Sequence, residues 1–446
     1  MLRPSRAARL SVALFASLLF AGAAHAQVFS ARRMAMGGVV LRGGSGLTGA
    51  NVAYKAVPPE PSTGRHIPLP LGLLQLAENP PVFDAKNPDF NAFALADLLY
   101  ELPWNYRLGA TPAPSSDISI SVARNSLAID LGGVGAVIPK DGTKLSLIAT
   151  DPSVSFGLGH ALSVGVAPII HYQTDFTLNP TLYQALANGE AFVPNTDYEA
   201  SGNAVSQAAV GLDVAYATRL LSSGDDPRAS GGMAIYAGAR AKLLRGLLYD
   251  DANGSAGFRT PDTLFGGTGD SVAFKYDAIY RTAGPSDGGM GYGLDLGAVC
   301  LFGPLEVGLG VNDVRTQLHW HMREAEVSRD SAGNQIENTL ATNQSFTSTV
   351  PTTATANVIA RLGTLTLAAD AVRGPLAWTA HAGAEQQMGM LAFRGGLAID
   401  ENQLIQYSGG TGVRLGPVGL DLAVATNSQN LSRVRVLELG AGLTLY

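Results

Sequence analysis

The chain is poor in cysteine, in charge and in aromatic residues, and beyond position 26 it has no unbroken apolar run that could cross a bilayer as a helix. Each shortage excludes something. The single cysteine, Cys300, sits among Ala298, Val299 and Leu301, so no intramolecular disulfide can form. Its surroundings suit a small buried or lipid-facing side chain. Charged residues make up 15% and hydrophobic ones 46%, with a mean hydropathy of +0.15. That is too apolar for a disordered chain and sparse in charge for an ordinary soluble domain. Lys and Arg number 30 against 36 Asp and Glu and form no basic cluster, which removes nucleic acid as a partner. With no spanning helix to consider, the mature chain is either soluble or a barrel. Aromatics at 7% are few for a barrel with two full girdles, and this keeps a soluble exported β-protein open as an alternative.

What is present begins with an export signal. Arg3, Arg6 and Arg9 precede an apolar run from Leu10 to Ala21, which ends at Ala24-His25-Ala26. This reads as a secretory signal peptide over residues 1–26, cleaved before Gln27. The run is roughly half the ~20 residues that an anchor needs, and no cysteine near the cleavage site invites a lipid anchor. Losing three arginines takes the formal charge from −6 to −9, with 27 basic against 36 acidic residues.

Tight turns at Gly303-Pro304, Gly363-Thr364, Gly374-Pro375 and Gly416-Pro417 are each followed by apolar residues at every second position. Leu305, Val307, Leu309 and Val311 form one such row, and Val418, Leu420, Leu422 and Val424 another. The intervening positions are polar or small: Glu306, Gly308, Gly310 and Asn312 in the first, Gly419, Asp421 and Ala423 in the second. A period of two with tight turns marks antiparallel strands. Apolar outside and polar inside is the pattern of a membrane barrel. The fold class expected is all-β: a transmembrane antiparallel β-barrel over residues 116–446, with about 14 strands in a range of roughly 12 to 16. Its 53 glycines suit a curved, crowded wall.

Residues 27–115 read differently, because prolines from Pro58 to Pro114 break any long element. A helix over Asp89–Leu102 is the exception, with Phe90, Phe93, Leu98 and Leu102 at helical spacing. This segment is expected to act as a hatch or plug in the lumen, or to lie at the periplasmic mouth. Asn179-Pro180, followed by Leu182, Leu186 and Gly189, predicts a short loop helix. Asp250–Gly269 and Arg323–Ser348 read as irregular polar loops. Long loops would face outward and the Gly-Pro turns the periplasm.

Several side chains carry possible chemistry. Asp213, Asp295, Glu306, Asp370, Glu385 and Asp421 alternate with apolar or small neighbours and should face the lumen. Arg219, Arg240, Arg361, Arg394 and Arg414 are available to pair with them, as buried carboxylates require. The set is either an acidic constriction favouring cations or polar solutes, or a plug of internal salt bridges. His319 and His321 flank Trp320 on one strand face and are weak metal candidates, because two ligands do not define a site. Trp320 itself suits an interfacial girdle. Gly44-Ser45-Gly46-Leu47-Thr48-Gly49 matches a dinucleotide fingerprint, yet Pro58-Pro59 follow too soon for the helix it needs. His160, His171 and His381 lack any accompanying nucleophile motif, so no enzyme and no cofactor is expected.

Just after the expected cleavage site stands Phe29-Ser30-Ala31-Arg32-Arg33-Met34-Ala35-Met36-Gly37-Gly38. It resembles the Ala-Arg-x-x-Ala-Met-Gly-Gly opening of the outer-membrane barrels that include FadL-like transporters and the TraF-like proteins of conjugal transfer. In FadL-like proteins the resemblance implies a barrel of about 14 strands, an N-terminal hatch inside the lumen and passage of hydrophobic molecules. The chain departs from the family where Ala50-Asn51-Val52-Ala53-Tyr54 replaces an expected Asn-Pro-Ala, and at its terminal strand, which ends in Tyr446 rather than Phe. The expected function is passive transport of hydrophobic or small solutes across the outer membrane. The alternative is a non-transporting accessory barrel of TraF-like type. Expected partners are outer-membrane lipid, a solute and the barrel-assembly machinery.

Overall fold

The computed structural model describes residues 30–41, 49–58, 65–69, 104–107, 119–123, 126–130, 142–149, 154–158, 161–224, 227–228, 231–262, 273–329, 334–426 and 436–445. The expected signal peptide, the glycine-rich stretch at 44–48 and the helix at 89–102 lie outside these residues.

Twenty strands follow in order. They begin with β1 (Arg65–Leu69), β2 (Trp104–Arg107), β3 (Ser119–Ala123), β4 (Ser126–Asp130), β5 (Thr143–Ala149), β6 (Val154–Leu158) and β7 (Leu162–Leu178). The long elements come next: β8 (Asp197–Ser223), β9 (Met233–Arg259), β10 (Ala273–Ala283), β11 (Gly288–Phe302), β12 (Leu305–Arg329) and β13 (Gln335–Thr349). The last seven are β14 (Thr353–Leu362), β15 (Leu365–Arg373), β16 (Trp378–Met388), β17 (Leu391–Ile399), β18 (Ile405–Leu415), β19 (Val418–Thr426) and β20 (Val436–Leu445). Apart from the β3–β4 hairpin they form one sheet of 18 strands, with antiparallel pairing throughout.

Four places in the wall hold two strands end to end. β1 and β2 share an edge of β20, and β5 and β6 share β7. β10 and β11 both lie between β9 and β12, and β13 and β14 both follow β12. The 18 strands therefore fill 14 wall positions. The sheet wraps around residues 30–41 and 49–57. The helix Ala31–Ala35 packs against β17, β18, β19 and β20, while the 3₁₀ turn Val52–Lys55 packs against β8, β9 and β11 on the other side. The protein is an all-β barrel with a few short helices.

The alternation sets which face looks where. Leu305, Val307, Leu309 and Val311 are exposed on the outside, while Glu306 and Asn312 are buried within. Val418, Leu420 and Leu422 repeat the arrangement around buried Asp421. The nine residues of β19 span about 30 Å along the strand. At a tilt of about 45° that is about 20 Å of height, close to the ~25 Å of a lipid-facing belt. The few aromatics mark both borders: Tyr216, Phe302 and Phe393 toward one end of the belt, Tyr292, Trp378 and Tyr407 toward the other, all exposed. Low aromatic content reflects sparse girdles.

Three expectations need correction. Turns 303–304, 363–364 and 416–417 lie at one end, but the loop opening at Gly374-Pro375 lies at the other. Successive antiparallel strands must turn at opposite ends, so the turns after β14 and β15 cannot share a side. Asp250–Gly269 and Arg323–Ser348 are largely strand, since β9 runs to Arg259, β12 to Arg329 and β13 fills 335–349. Nearly every residue of β13 is exposed, so no apolar face was there to be read. Finally, β1 and β2 fall within 27–115 yet pair with β20. Pro68 stands in β1, which pairs on one side only among the described residues, where a missing N–H is tolerated.

The loop helix Pro180–Asn188 forms where its signals stand. Asn179 accepts a hydrogen bond from Leu182 N, Pro180 occupies the first turn, and Gly189 closes the helix in the left-handed region.

Candidate functional site

The lumen is organised by the segment that crosses it. Ser30 caps the helix Ala31–Ala35, and this sets Arg32 toward the wall. Arg32 makes a two-pronged contact with Glu385 on β16, with both bonds at 2.8 Å. Glu385 also accepts from Arg394 Nε at 2.6 Å, and Arg394 reaches Asp421 at 2.8 Å. Asp421 in turn accepts from Thr444 Oγ1 at 2.9 Å. A fork-shaped guanidinium against a carboxylate is the strongest form of such a bond and fixes orientation as well as charge. Arg33 turns back onto the carbonyl of Gly38 at 2.6 Å. That closure needs Gly37 and Gly38 at φ 74° and 80°, and a Cβ on Gly37 would run into the carbonyl of Leu397. Val40 N donates to Asp370 at 2.5 Å, and Asp370 also meets His381 Nδ1 at 2.6 Å.

Farther along, the segment changes sides. Asn51 is fully buried; its side chain accepts from Ala53 N and donates to the Ala298 carbonyl of β11. Asn312 of β12 holds the carbonyls of Gly49 and Ala50, each at 3.1 Å. Tyr54 Oη accepts from Asn357 at 2.7 Å, and Lys55 donates to Ser163 of β7 at 2.7 Å. Val39, Val40, Ala53, Tyr54 and Val57 form an apolar core with Tyr236, Val299, Leu301 and Ile359 of the wall. The segment is thus salt-bridged to β16 and hydrophobically seated on β9, β11 and β14.

Above this seat lies a charged layer made by the wall alone. Lys242 of β9 contacts Asp295 of β11 at 2.7 Å and Asp313 of β12 at 2.8 Å. Arg240 reaches Asp295 at 3.4 Å, Thr316 donates to Asp313, and Asp313 N donates back to Asp295. Asp313 and Arg315 take positive φ at a bulge in β12, which turns the Asp313 carboxylate inward. Asp213 of β8 stands directly opposite Lys242 at 2% exposure, and neither of its carboxylate oxygens has a partner. Glu306 pairs with Arg361 at 3.3 Å nearer the tight-turn end.

Beyond the bulge the inward chemistry changes from charge to carbon. Leu318, Trp320 and Met322 continue the inward positions of β12 and join Ile169, Ala209, Leu244, Tyr249 and Val350 in one buried cluster. The Trp320 indole is 1% exposed and lies over Gly246, where any Cβ would overlap its ring. Its Nε1 donates to Ser348 at 2.8 Å. Trp320 is therefore an interior residue and not a girdle one: at this height the outer face of β12 carries the exposed His319 and His321. His319 meets Thr347 at 2.8 Å. Among the described residues no group of three or more His, Cys, Asp or Glu could hold a metal.

At the far end of the tall strands, Tyr198, Phe258 and Phe274 stand in one row across β8, β9 and β10. With Leu182 of the loop helix they line a cavity of about 400 Å³, whose edge carries Lys275 and Arg329. Arg329 stacks on Phe274 at 5.7 Å.

The six acids named from sequence are all buried, and they divide into two groups on opposite sides of the lumen. Glu385, Asp370 and Asp421 hold the plug or its anchor, whereas Asp213, Asp295 and Glu306 belong to β8, β11 and β12. Arg414 is exposed at the tight-turn end, bonded to the Gly416 carbonyl, and Arg219 is also exposed. Arg32, Val40, Asn51 and Tyr54 were not singled out as site residues. The motif around Arg32 and Arg33 carried the signal, because charges beside Met-Gly-Gly in an apolar segment need buried partners.

No protein-family model matches the chain, and no curated protein matches it. Among solved structures, the Pseudomonas putida toluene transporter TodX is similar at 13% identity, covering 93% of this chain and 96% of that one with a TM-score of 0.37. The ferric citrate transporter FecA in its unliganded form is similar at 10% identity over 68% of this chain and 46% of that one, with a TM-score of 0.26.

Proposed function

We propose that the protein is an outer-membrane barrel that passes small hydrophobic solutes, with residues 30–41 and 49–57 as the gate on the tight-turn side. One observation carries this reading: above the charged layer the inward side chains are Ile169, Leu244, Leu318, Trp320 and Met322. A water-filled pore places polar residues there. An apolar solute leaving water for such a lining gains about 25 cal/mol per Å² buried, whereas a sugar gains nothing. Lipid covers the belt, and insertion of a closed wall calls on barrel-assembly machinery. The bonds of Arg32 to Glu385 and of Val40 to Asp370 hold the gate to the wall.

The test compares cells that carry the protein in their outer membrane with cells that lack it. Uptake of labelled toluene rises several-fold with the protein, while vesicles containing it do not swell in sugars. Sugar-driven swelling would mean a polar pore. Unchanged uptake of both probes would leave the non-transporting accessory barrel as the answer.

A further inference from the structure

The apolar cluster around Trp320 contains two polar side chains that nothing satisfies. His171 of β7 and Gln207 of β8 stand directly opposite each other, at 2% and 1% exposure. Neither ring nitrogen of His171 and neither amide atom of Gln207 has a hydrogen-bond partner. Gln173, two positions along β7 on the same face, is the polar neighbour that comes close to the imidazole. The other flanking inward residues are apolar: Ile169 on β7, Val205 and Ala209 on β8. The same row continues to Tyr249 of β9, which packs against Trp320 at 6.0 Å and Phe346 at 5.3 Å. The hydroxyl of Tyr249 and the indole N–H of Trp320 are already engaged, by Asp251 and Ser348. Buried polar groups without partners are costly, and such groups converging on an apolar, aromatic lining are the usual make-up of a ligand site.

We propose that His171 and Gln207 form a head-group site, which selects compact apolar solutes bearing one uncharged hydrogen-bonding group, a hydroxyl or a carbonyl. The inference rests on the transport reading and narrows its solute class. An amide offers two donors and an acceptor, and a neutral imidazole offers one of each. A hydroxyl satisfies one atom of each residue; a plain hydrocarbon leaves both stranded. A carboxylate fares worse, because it brings a full charge into a layer with no spare cation. The guanidinium stacked on Phe346, that of Arg281, is already held by Asp251 and Glu324 at 3.2 Å each. Burying an unpaired anion there costs more than its hydrogen bonds return.

Replacing Trp104 and Trp378 by Phe leaves Trp320 as the sole tryptophan and a reporter inside the cluster. In lipid nanodiscs its fluorescence is titrated with cyclohexanol, methylcyclohexane and cyclohexanecarboxylate, with lipid partitioning measured separately. Cyclohexanol binds about tenfold more tightly than methylcyclohexane, as two added neutral hydrogen bonds predict, and the carboxylate binds weakest. His171→Leu and Gln207→Leu each weaken the alcohol about fivefold while leaving the hydrocarbon equal or tighter. A gel shift on boiling confirms that each barrel is folded, and Gln207→Leu alone carries the test if the histidine variant does not assemble. Equal binding of alcohol and hydrocarbon, tightest binding of the carboxylate, or no loss in Gln207→Leu overturns the head-group site but leaves hydrophobic transport standing. Failure of all three probes to bind overturns both readings.

Discussion

The two halves of the wall differ in height and in what their inner faces do. β14–β20 run nine to eleven residues each, whereas β8, β9 and β12 run 27, 27 and 25. A tilted strand needs about 9–11 residues to span a bilayer, so the short half ends where the membrane does. The tall half continues well past it. On the short half the inward charges serve the plug: Glu385 binds Arg32, and Asp370 binds Val40. On the tall half Lys242 binds Asp295 and Asp313, and the residues above them pack into an apolar cluster. The comparison teaches that one barrel separates the seat of its N-terminal segment from an apolar cluster by strand length, with the same alternation serving both.

Breaking each half should therefore have different consequences. Glu385→Ala leaves the buried guanidinium of Arg394 and the partly buried one of Arg32 without their shared acceptor, a loss of about 3 kcal/mol. Because one of these belongs to the plug, the variant raises single-channel conductance and exposes residues 30–57 to protease. Asp295→Ala costs a similar amount by stranding Lys242 and Arg240. Its bonds run between wall strands, so the barrel melts earlier in the gel-shift assay while conductance stays at the wild-type level. Equal plug release by both variants would erase the distinction.

Tryptophan sharpens the same contrast. Trp320→Ala empties the tall half's cluster and costs about 3–5 kcal/mol in denaturant unfolding. Trp378→Ala, on the exposed outer face of the short half, removes only a lipid-border contact and changes stability by less than about 1 kcal/mol. Comparable losses would mean that Trp320 is not an interior residue.

The smallest effect lies where the halves meet. Glu401, in the loop between β17 and β18, accepts bonds from Ser146 N at 2.8 Å and from Ser146 Oγ, both of β5. Burial pushes its carboxyl above the usual range, and nearby Asp400 adds to this. An acid whose folded value is raised holds more protons folded than unfolded. The loop is thus held best below the ordinary carboxylate value of about 4.3 and loosens as pH rises through the raised one. Hydrogen exchange at residues 143–149, corrected for intrinsic rates, is slower at pH 4 than at pH 7, and Glu401→Gln removes the difference.

Much of the short half was legible from sequence. The row Val418, Leu420, Leu422 and Val424 read from alternation lies on β19, which starts at Val418 as the turn at 416–417 implies. That strand lies between lipid and lumen, so every second residue had to be apolar. β13 went unread because water meets it on both faces, and nothing in Gln335–Thr349 alternates. Trp320 was misplaced for a related reason. The rule of polar inside and apolar outside holds only within the belt, and past Asp313 it reverses without any change in spacing.

Local pattern determined that this chain makes antiparallel strands with one greasy face, because a period of two is a property of each strand by itself. It also determined that charges facing the lumen would need partners. Only the tertiary structure decided which charge meets which, that Arg32 lies 353 residues from Glu385 and still binds it, and that an apolar cluster stands above a charged floor. The reason is physical: an ion pair or a cavity exists between strands, and curvature and register across fourteen positions set distances that no single strand encodes.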